Sequence, residues 1–330
     1  MRSKQVHLLE RPQGVPSLAQ FAIVEAEVAE PAEGEVLVEN IYMSVDPAMR
    51  PRLAGQTPLN EAMPGGAIGR VLASRLPGFA PGDYVQSMLG FRQYFVAGAK
   101  GLSKLDADGM PLDAYMSVLG LTGLTAYGGL LVTASLKDGE NVFVSAAAGA
   151  VGSVAAQIAK IKGCYVIGSA GSDEKCNWLK QELGLDAVIN YKKGELRSAL
   201  KSAAPRGIDV YFDNVGGEHL NAALPRMNAL GRIAVCGMIS AYNNFGAISE
   251  PVTTLSNMIY NRLTMRGFVF YEFEPLRAQF LTDMKRWLGE GRIRYRSTIL
   301  SGIEQAPAAL IGLFSGANTG KMLVQLAKET

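Results

Sequence analysis

The sequence predicts an α/β chain in two parts: an all-β barrel or sandwich over roughly the first 120 residues, then a doubly wound parallel sheet. Three observations predict it. Short apolar runs cut by Pro and Gly fill the first part, strand–helix alternation fills the second, and a glycine turn in the second joins a strand to a helix. At 330 residues the chain is also long for one core, which favours two domains.

In the first part the runs are VEAEV, EVLVENIYMSV, AIGRVLAS, GDYVQSML and FRQYFVAG, separated by the turn signals Pro31–Gly34, Pro64–Gly66 and Pro81–Asp83. From about residue 121 the alternation begins. Val142–Ser145 reads as a strand, and Val151–Lys162 as a helix with Val154, Ile158 and Ile161 on one face. Gly163 suits a left-handed helix end. Tyr165–Ala170 is the second strand; Ser172 can cap the next helix, Asp173–Leu183, which Gly184 closes. Ala187–Asn190, Asp209–Phe212, Arg232–Cys236 and Met265–Phe270 follow as strands. The tail after about residue 293 reads as a strand, a helix over Gln305–Phe314 and a last strand over Lys321–Gln325.

Composition narrows the function classes. With 48% apolar and 19% charged residues the chain is an ordinary globular protein. A formal charge of +2 and a pI near 8.3 are too mild to argue for nucleic acid or an anionic membrane. Cys164, Cys176 and Cys236 give neither a disulfide framework nor a CxxC pair, and the N-terminus lacks the apolar core of a signal peptide, so a reducing, cytoplasmic setting is expected. Two uncharged runs, Tyr115–Leu136 and Asn141–Ala159, meet the length of a membrane span. Their glycines and hydroxyl residues instead suit buried elements of a parallel sheet, covered on both faces.

The chemistry centres on Gly149-Ala150-Val151-Gly152-Ser153, where a strand runs into a helix and backbone N–H groups can meet a phosphate. Gly149 would let the chain turn and Gly152 would let the backbone approach a pyrophosphate; a tight turn with no ligand is the alternative. A carboxylate after the second strand binds the ribose 2′-hydroxyl of NAD, and a cation there accommodates the 2′-phosphate of NADP. Asp173, 173 − 152 = 21 residues beyond the second glycine, is placed for the former, yet an acid in a first helical turn also simply complements the helix dipole. Lys175, in the same turn, can serve a phosphate or stand as a solvated helix lysine. With only His7 and His219, the chain has no ligand set for zinc, and it lacks a GxSxG elbow.

Nine ordered segments carry a resemblance: VDPAMR (45–50), LGLTGLTAYGGL (119–130), AAAGAVGSVAAQIAKIKGC (146–164), GSDEK (171–175), INYK (189–192), FDNVGGE (212–218), CGMISAYN (236–243), RGFVF (266–270) and GANTGK (316–321). The chain resembles the zinc-independent branch of the medium-chain dehydrogenases/reductases, in the prostaglandin reductase, alkenal double-bond reductase and curcumin reductase group. The resemblance implies an N-terminal partly open, GroES-like β-barrel domain over 1–120, completed by 293–330, and a Rossmann-type domain over 121–292. It implies NADP(H), with Lys175 at the 2′-phosphate and Tyr191 beside it, which decides the Asp173 question for NADP. It further implies Thr125 near the nicotinamide, with Asn214, Cys236, Gly237, Met238, Ile239, Tyr242, Phe268, Val269, Phe270 and Asn318 lining the cofactor. Of these, Asn214 and Cys236 also follow strand ends, where a doubly wound sheet binds its ligand. A homodimer is the family expectation.

Without zinc to polarise a carbonyl, hydrogen-bond donors must stabilise developing oxyanion charge. Reduction of an activated C=C bond suits that: hydride to the β-carbon, an enolate, then a proton to the α-carbon. Tyr260 matches the family's candidate for the proton or the enolate oxygen, the alternative being an aromatic packed against the barrel; Tyr42 is a second candidate, which as a strand residue can equally alternate with the core. The chain departs from the family at Ala48, where an aromatic is usual, and in the short segment LAGQTPLNEAMPGG. Two alternatives to an enone or enal reductase stay open: a quinone reductase on the same scaffold, and a cofactor-binding sensor that has lost catalysis.

Overall fold

The computed structural model describes residues 1–244 and 251–329. The chain divides into two compact units, residues 1–116 with those from 297 on, and residues 117–296. In the first unit, β1 (Arg2–Leu8) and β2 (Phe21–Glu27) form an antiparallel pair. A second sheet is built on β3 (Glu35–Ser44), followed by β4 (Ala67–Ser74), β5 (Tyr84–Ser87), β6 (Tyr94–Gly98) and β7 (Ser103–Leu105).

The second unit holds six strands: β8 (Asn141–Val144), β9 (Tyr165–Ala170), β10 (Ala187–Asn190), β11 (Ile208–Asp213), β12 (Met227–Val235) and β13 (Thr264–Gly267). They pair in parallel in the order β10-β9-β8-β11-β12-β13. The order reverses between β8 and β11, so a ligand crevice is expected beyond their carboxyl ends. The central strands are covered on both faces: Val142, Phe143, Val144, Val210, Tyr211 and Phe212 are wholly buried. Helix Ala150–Ile161 follows β8 and ends before Gly163, whose φ of 71° is left-handed as its sequence position predicts. Ser172 caps the next helix, its Oγ accepting from the Lys175 amide at 3.3 Å. That helix runs as an α segment, Asp173–Asn177, then a π turn, Trp178–Glu182.

The chain returns to the first unit as β14 (Ser297–Ser301), helix Ala306–Ser315 and β15 (Lys321–Gln325). β15 joins β3 antiparallel at Tyr42–Ser44, while β6 pairs with the other half of the same strand, Glu35–Glu39. Met43, Val45, Leu53, Phe91, Leu310, Met322 and Val324 close one core; Val36, Val38, Val71, Val85 and Phe95 close a second.

Both uncharged runs lie in these elements. The first contains helix Leu121–Gly128 and the π turn Gly129–Thr133, and at their junction Gly128 and Gly129 admit the rings of Phe273 and Phe268; the second contains β8 and helix Ala150–Ile161. Among the described residues no helix is long and apolar enough to cross a membrane.

Candidate functional site

The glycine turn follows β8. The Ser145 amide donates to the Phe212 carbonyl of β11, and the Ala147 amide to the Ser169 carbonyl of β9, so the turn hangs from both neighbouring strands. The left-handed residue is Ala146, at φ 47°, whereas Gly149 has φ −84°, which any residue adopts. The turning role expected of Gly149 therefore falls to Ala146. Gly152 has a packing reason of its own: a Cβ there would lie 2.4 Å from the Ala146 carbonyl oxygen, so the helix packs onto the turn only without a side chain.

Beyond β11, a buried carboxylate organises the next loop. Asp213 Oδ1 accepts from Tyr211 Oη at 2.6 Å, Ser145 Oγ at 3.1 Å, and the amides of Val215 and Gly216 at 2.9 Å each. Ser145 Oγ in turn accepts from the Asn214 amide, and Asn214 Nδ2 donates to the Ser145 carbonyl at 2.7 Å. The loop after β12 folds onto the same corner: the amides of Cys236 and Gly237 donate to Asp213 O, and Ser240 Oγ donates to Val215 O. Tyr242 Oη accepts from the Met238 amide at 3.3 Å, with Ile239 between them bonded to Asn214 O. Burial pushes the Asp213 carboxyl up, with those donors opposing it, and pushes the Cys236 thiol up to about 12. Asp213 was not singled out from sequence, although its place at a strand end was the available signal.

Beyond β9, Tyr191 and Lys192 lean over Gly171: a Cβ on that glycine would lie 2.9 Å from Tyr191 Oη and 3.3 Å from Lys192 Cε. Lys175 is half-buried, and burial together with the Lys192 charge pulls its ammonium below the ordinary range. Behind Tyr191, the buried His219 ring stands edge-on at 5.0 Å and shares a hydrogen bond with Ser169 Oγ at 3.1 Å. Thr125, in helix Leu121–Gly128, donates from Oγ1 to the Leu121 carbonyl at 2.7 Å. Phe268 packs inward on Phe212 and Phe273, and Val269 is exposed. Tyr260, at the end of helix Ser256–Tyr260, is 79% exposed.

In the first unit, Tyr42 is buried; its Oη donates to Glu329 Oε1 at 2.8 Å and accepts from Gln325 Nε2 at 3.4 Å. Asn318 Nδ2 donates to the Gly320 carbonyl. One residue on, Lys321 Nζ donates to Val45 O at 2.9 Å and Asp46 Oδ1 at 2.8 Å, and Ser44 Oγ donates to Asp46 Oδ2. This pin, which no local pattern announces, holds the VDPAMR segment against β15.

A six-stranded parallel sheet with its order reversed at β8/β11, joined to a mainly antiparallel sheet unit, is the architecture of a medium-chain dehydrogenase. Residues 4–105 match the family described as the N-terminal domain of oxidoreductase, and residues 150–286 that described as zinc-binding dehydrogenase. Prostaglandin reductase 1 of Rattus norvegicus is 42% identical over 98% of this chain and 99% of its own. The NADP(+)-dependent 2-alkenal reductase of Nicotiana tabacum is 40% identical over 99% and 98%. Among solved structures, CurA from Vibrio vulnificus in complex with NADPH superposes with a TM-score of 0.93 at 36% identity, covering 98% of this chain and 99% of that one. The chain belongs to the medium-chain dehydrogenase/reductase family, in the group of the prostaglandin, alkenal and curcumin reductases. The zinc in the family description does not fit this donor set. His7 and His219 are the sole histidines, His219 is bonded to Ser169, and among the described residues no three His, Cys, Asp or Glu side chains group to hold a metal.

Proposed function

We propose that this chain is an NADPH-dependent reductase of the activated C=C bond of α,β-unsaturated ketones or aldehydes. The observation that carries the reading is kinship along nearly the whole chain with proteins named prostaglandin reductase 1 and 2-alkenal reductase. The second unit supports the coenzyme. The Gly149–Ser153 turn sits at the strand-order switch point, and Lys175 with Tyr191 lies at the end of β9, where a 2′-phosphate is received. Thr125, Asn214, Cys236–Tyr242 and Phe268–Phe270 would line the rest of the coenzyme, and Asn318 is a further candidate nominated by the resemblance alone. In this reading residues 121–292 bind NADPH, and residues 1–120 with 293–330 receive the substrate.

When bound, NADPH supplies the hydride. The protein's own task is to stabilise oxyanion charge and deliver a proton. Tyr260 is favoured for the proton because its phenol is accessible. Tyr42 is less suited, because its hydroxyl proton is committed to the Glu329 carboxylate and its phenol is pushed up by burial and by that contact. A homodimer is supported by β13, a sheet-edge strand whose four residues are all exposed. Three unpaired cysteines suit a cytoplasmic setting.

The test is NADPH oxidation with a panel of enones, enals and quinones. Turnover of enones or enals is expected. Turnover of quinones alone would transfer the chain to the quinone reductases, and tight NADPH binding with turnover of none would make it a sensor.

A further inference from the structure

The spacing that nominates Asp173 for a ribose hydroxyl raises a question that the NADPH reading must answer. An acid stands beside the place where a phosphate dianion is received, and like charges so placed repel. The structure shows where that carboxylate goes. Asp173 Oδ1 accepts from Asn190 Nδ2 at 2.8 Å, and Oδ2 is paired with the Lys193 ammonium. Asn190 is the last residue of β10 and Lys193 lies in the turn that follows, the same turn that brings Tyr191 and Lys192 over Gly171. Asn190 also acts from its other end: its Oδ1 accepts from the Lys192 amide at 3.1 Å, which shapes the turn.

We propose that Asn190 and Lys193 determine the coenzyme preference by tethering Asp173. The four residues 190–193 thereby sort charge around one phosphate position. Lys192 stands with Lys175 on the cationic side, while the acid is neutralised and held toward Lys193. Asp173 and Lys193 are both exposed, their side chains 60% and 66% accessible, so the pair adds little to stability. Its effect lies instead in where a negative charge is allowed to stand.

The inference rests on the NADPH reading, and the experiment separates the two. Dissociation constants of NADPH and NADH are measured by nicotinamide fluorescence for the wild type, Lys193→Ala, Asn190→Ala, Asp173→Ala and the double variant Lys193→Ala/Asp173→Ala. Releasing the acid should weaken NADPH about fivefold in Lys193→Ala, and less in Asn190→Ala, while NADH is unchanged or tighter. Removing Asp173 in the Lys193→Ala background should restore NADPH binding. A double variant as weak as Lys193→Ala would make Lys193 a direct phosphate contact and overturn the tether. So would a Lys193→Ala protein with wild-type preference. A wild type that binds NADH as tightly as NADPH would overturn the coenzyme reading itself. Asp173 and Lys193 are exposed and Asn190 is half-buried, and thermal melts of each variant check that folding is intact.

Discussion

Each unit secures a loop with an inaccessible charge, and the two do so by opposite means. In the first, the buried charge is Lys321, only 3% exposed, and its counter-charge Asp46 reaches it from the loop that it pins. Burial works upward on the Asp46 carboxyl, but the charge and hydrogen bond of Lys321, then Ser44, hold it below the usual range. In the second, Asp213 is wholly buried, its Oδ1 is met by two hydroxyls and two amides, and burial pushes the carboxyl up. The Lys321 ammonium is met by an anion as well as the Val45 carbonyl, whereas, among the described residues, the Asp213 carboxyl is met by hydroxyl and amide dipoles alone.

The contrast predicts unequal losses. Asp46→Asn, which leaves Lys321 inside without its counter-charge, should cost about 3–5 kcal/mol in urea denaturation. The next effect is pH-dependent and belongs to the second unit alone. Burial holds the His219 imidazole down to about 4, against the ordinary 6.5. Between those values the unfolded chain binds a proton that the folded chain refuses, so stability falls as pH falls. The loss should reach about 2 kcal/mol near pH 5 in urea titrations, and His219→Phe should remove it. Smaller again, Tyr211→Phe removes one neutral donor from Asp213 and should cost about 1 kcal/mol by the same measurement. Smallest is Asp213→Asn, expected below about 1 kcal/mol, since the amide oxygen keeps its donors and the amide nitrogen replaces an Oδ2 that has no partner among the described residues. Equal costs for Asp46→Asn and Asp213→Asn would erase the distinction between the two units.

What the sequence disclosed follows the same division. β9, β10 and β15 occupy the residues their apolar runs predict: Gly163 and Gly171 flank the first, Gly184 and Gly194 the second, and Gly320 opens the third. β1 gave no such signal: Ser3, Val6 and Leu8 are the residues it buries, a broken alternation among charged neighbours. β12 begins at Met227, five residues before the start its apolar run suggests, because Leu230 takes a φ of 64° and interrupts the pattern. Helix Arg277–Gly289 buries Phe280, Met284 and Trp287, the same i, i+4, i+7 spacing as Val154, Ile158 and Ile161, so its signal is present in the sequence although no glycine turn draws attention to it. At the site, the glycine turn is local in sequence and legible as a strand–helix junction, whereas the cationic corner joins Lys175 after β9 to Tyr191 and Lys192 after β10, and Tyr191 is nominated only by the resemblance. The pairs Asp46–Lys321 and Ser169–His219 are not local, and no spacing rule joins residues so far apart. Asp173 is the intermediate case. Its position was legible, but its engagement by Asn190 and Lys193 depends on β10 lying beside β9.

The division of β3 between β6 and β15 has a consequence for the order in which the protein is made. Ser44 pairs with Leu323, and the whole of residues 117–296 is synthesised between them. At roughly 5–20 residues per second, that half of β3 stays without its neighbour for about 15 to 55 s on the ribosome. An unpaired strand edge is a template for stray association. The second unit, continuous in sequence, can complete its sheet during that interval, so the first unit to begin is the last to close.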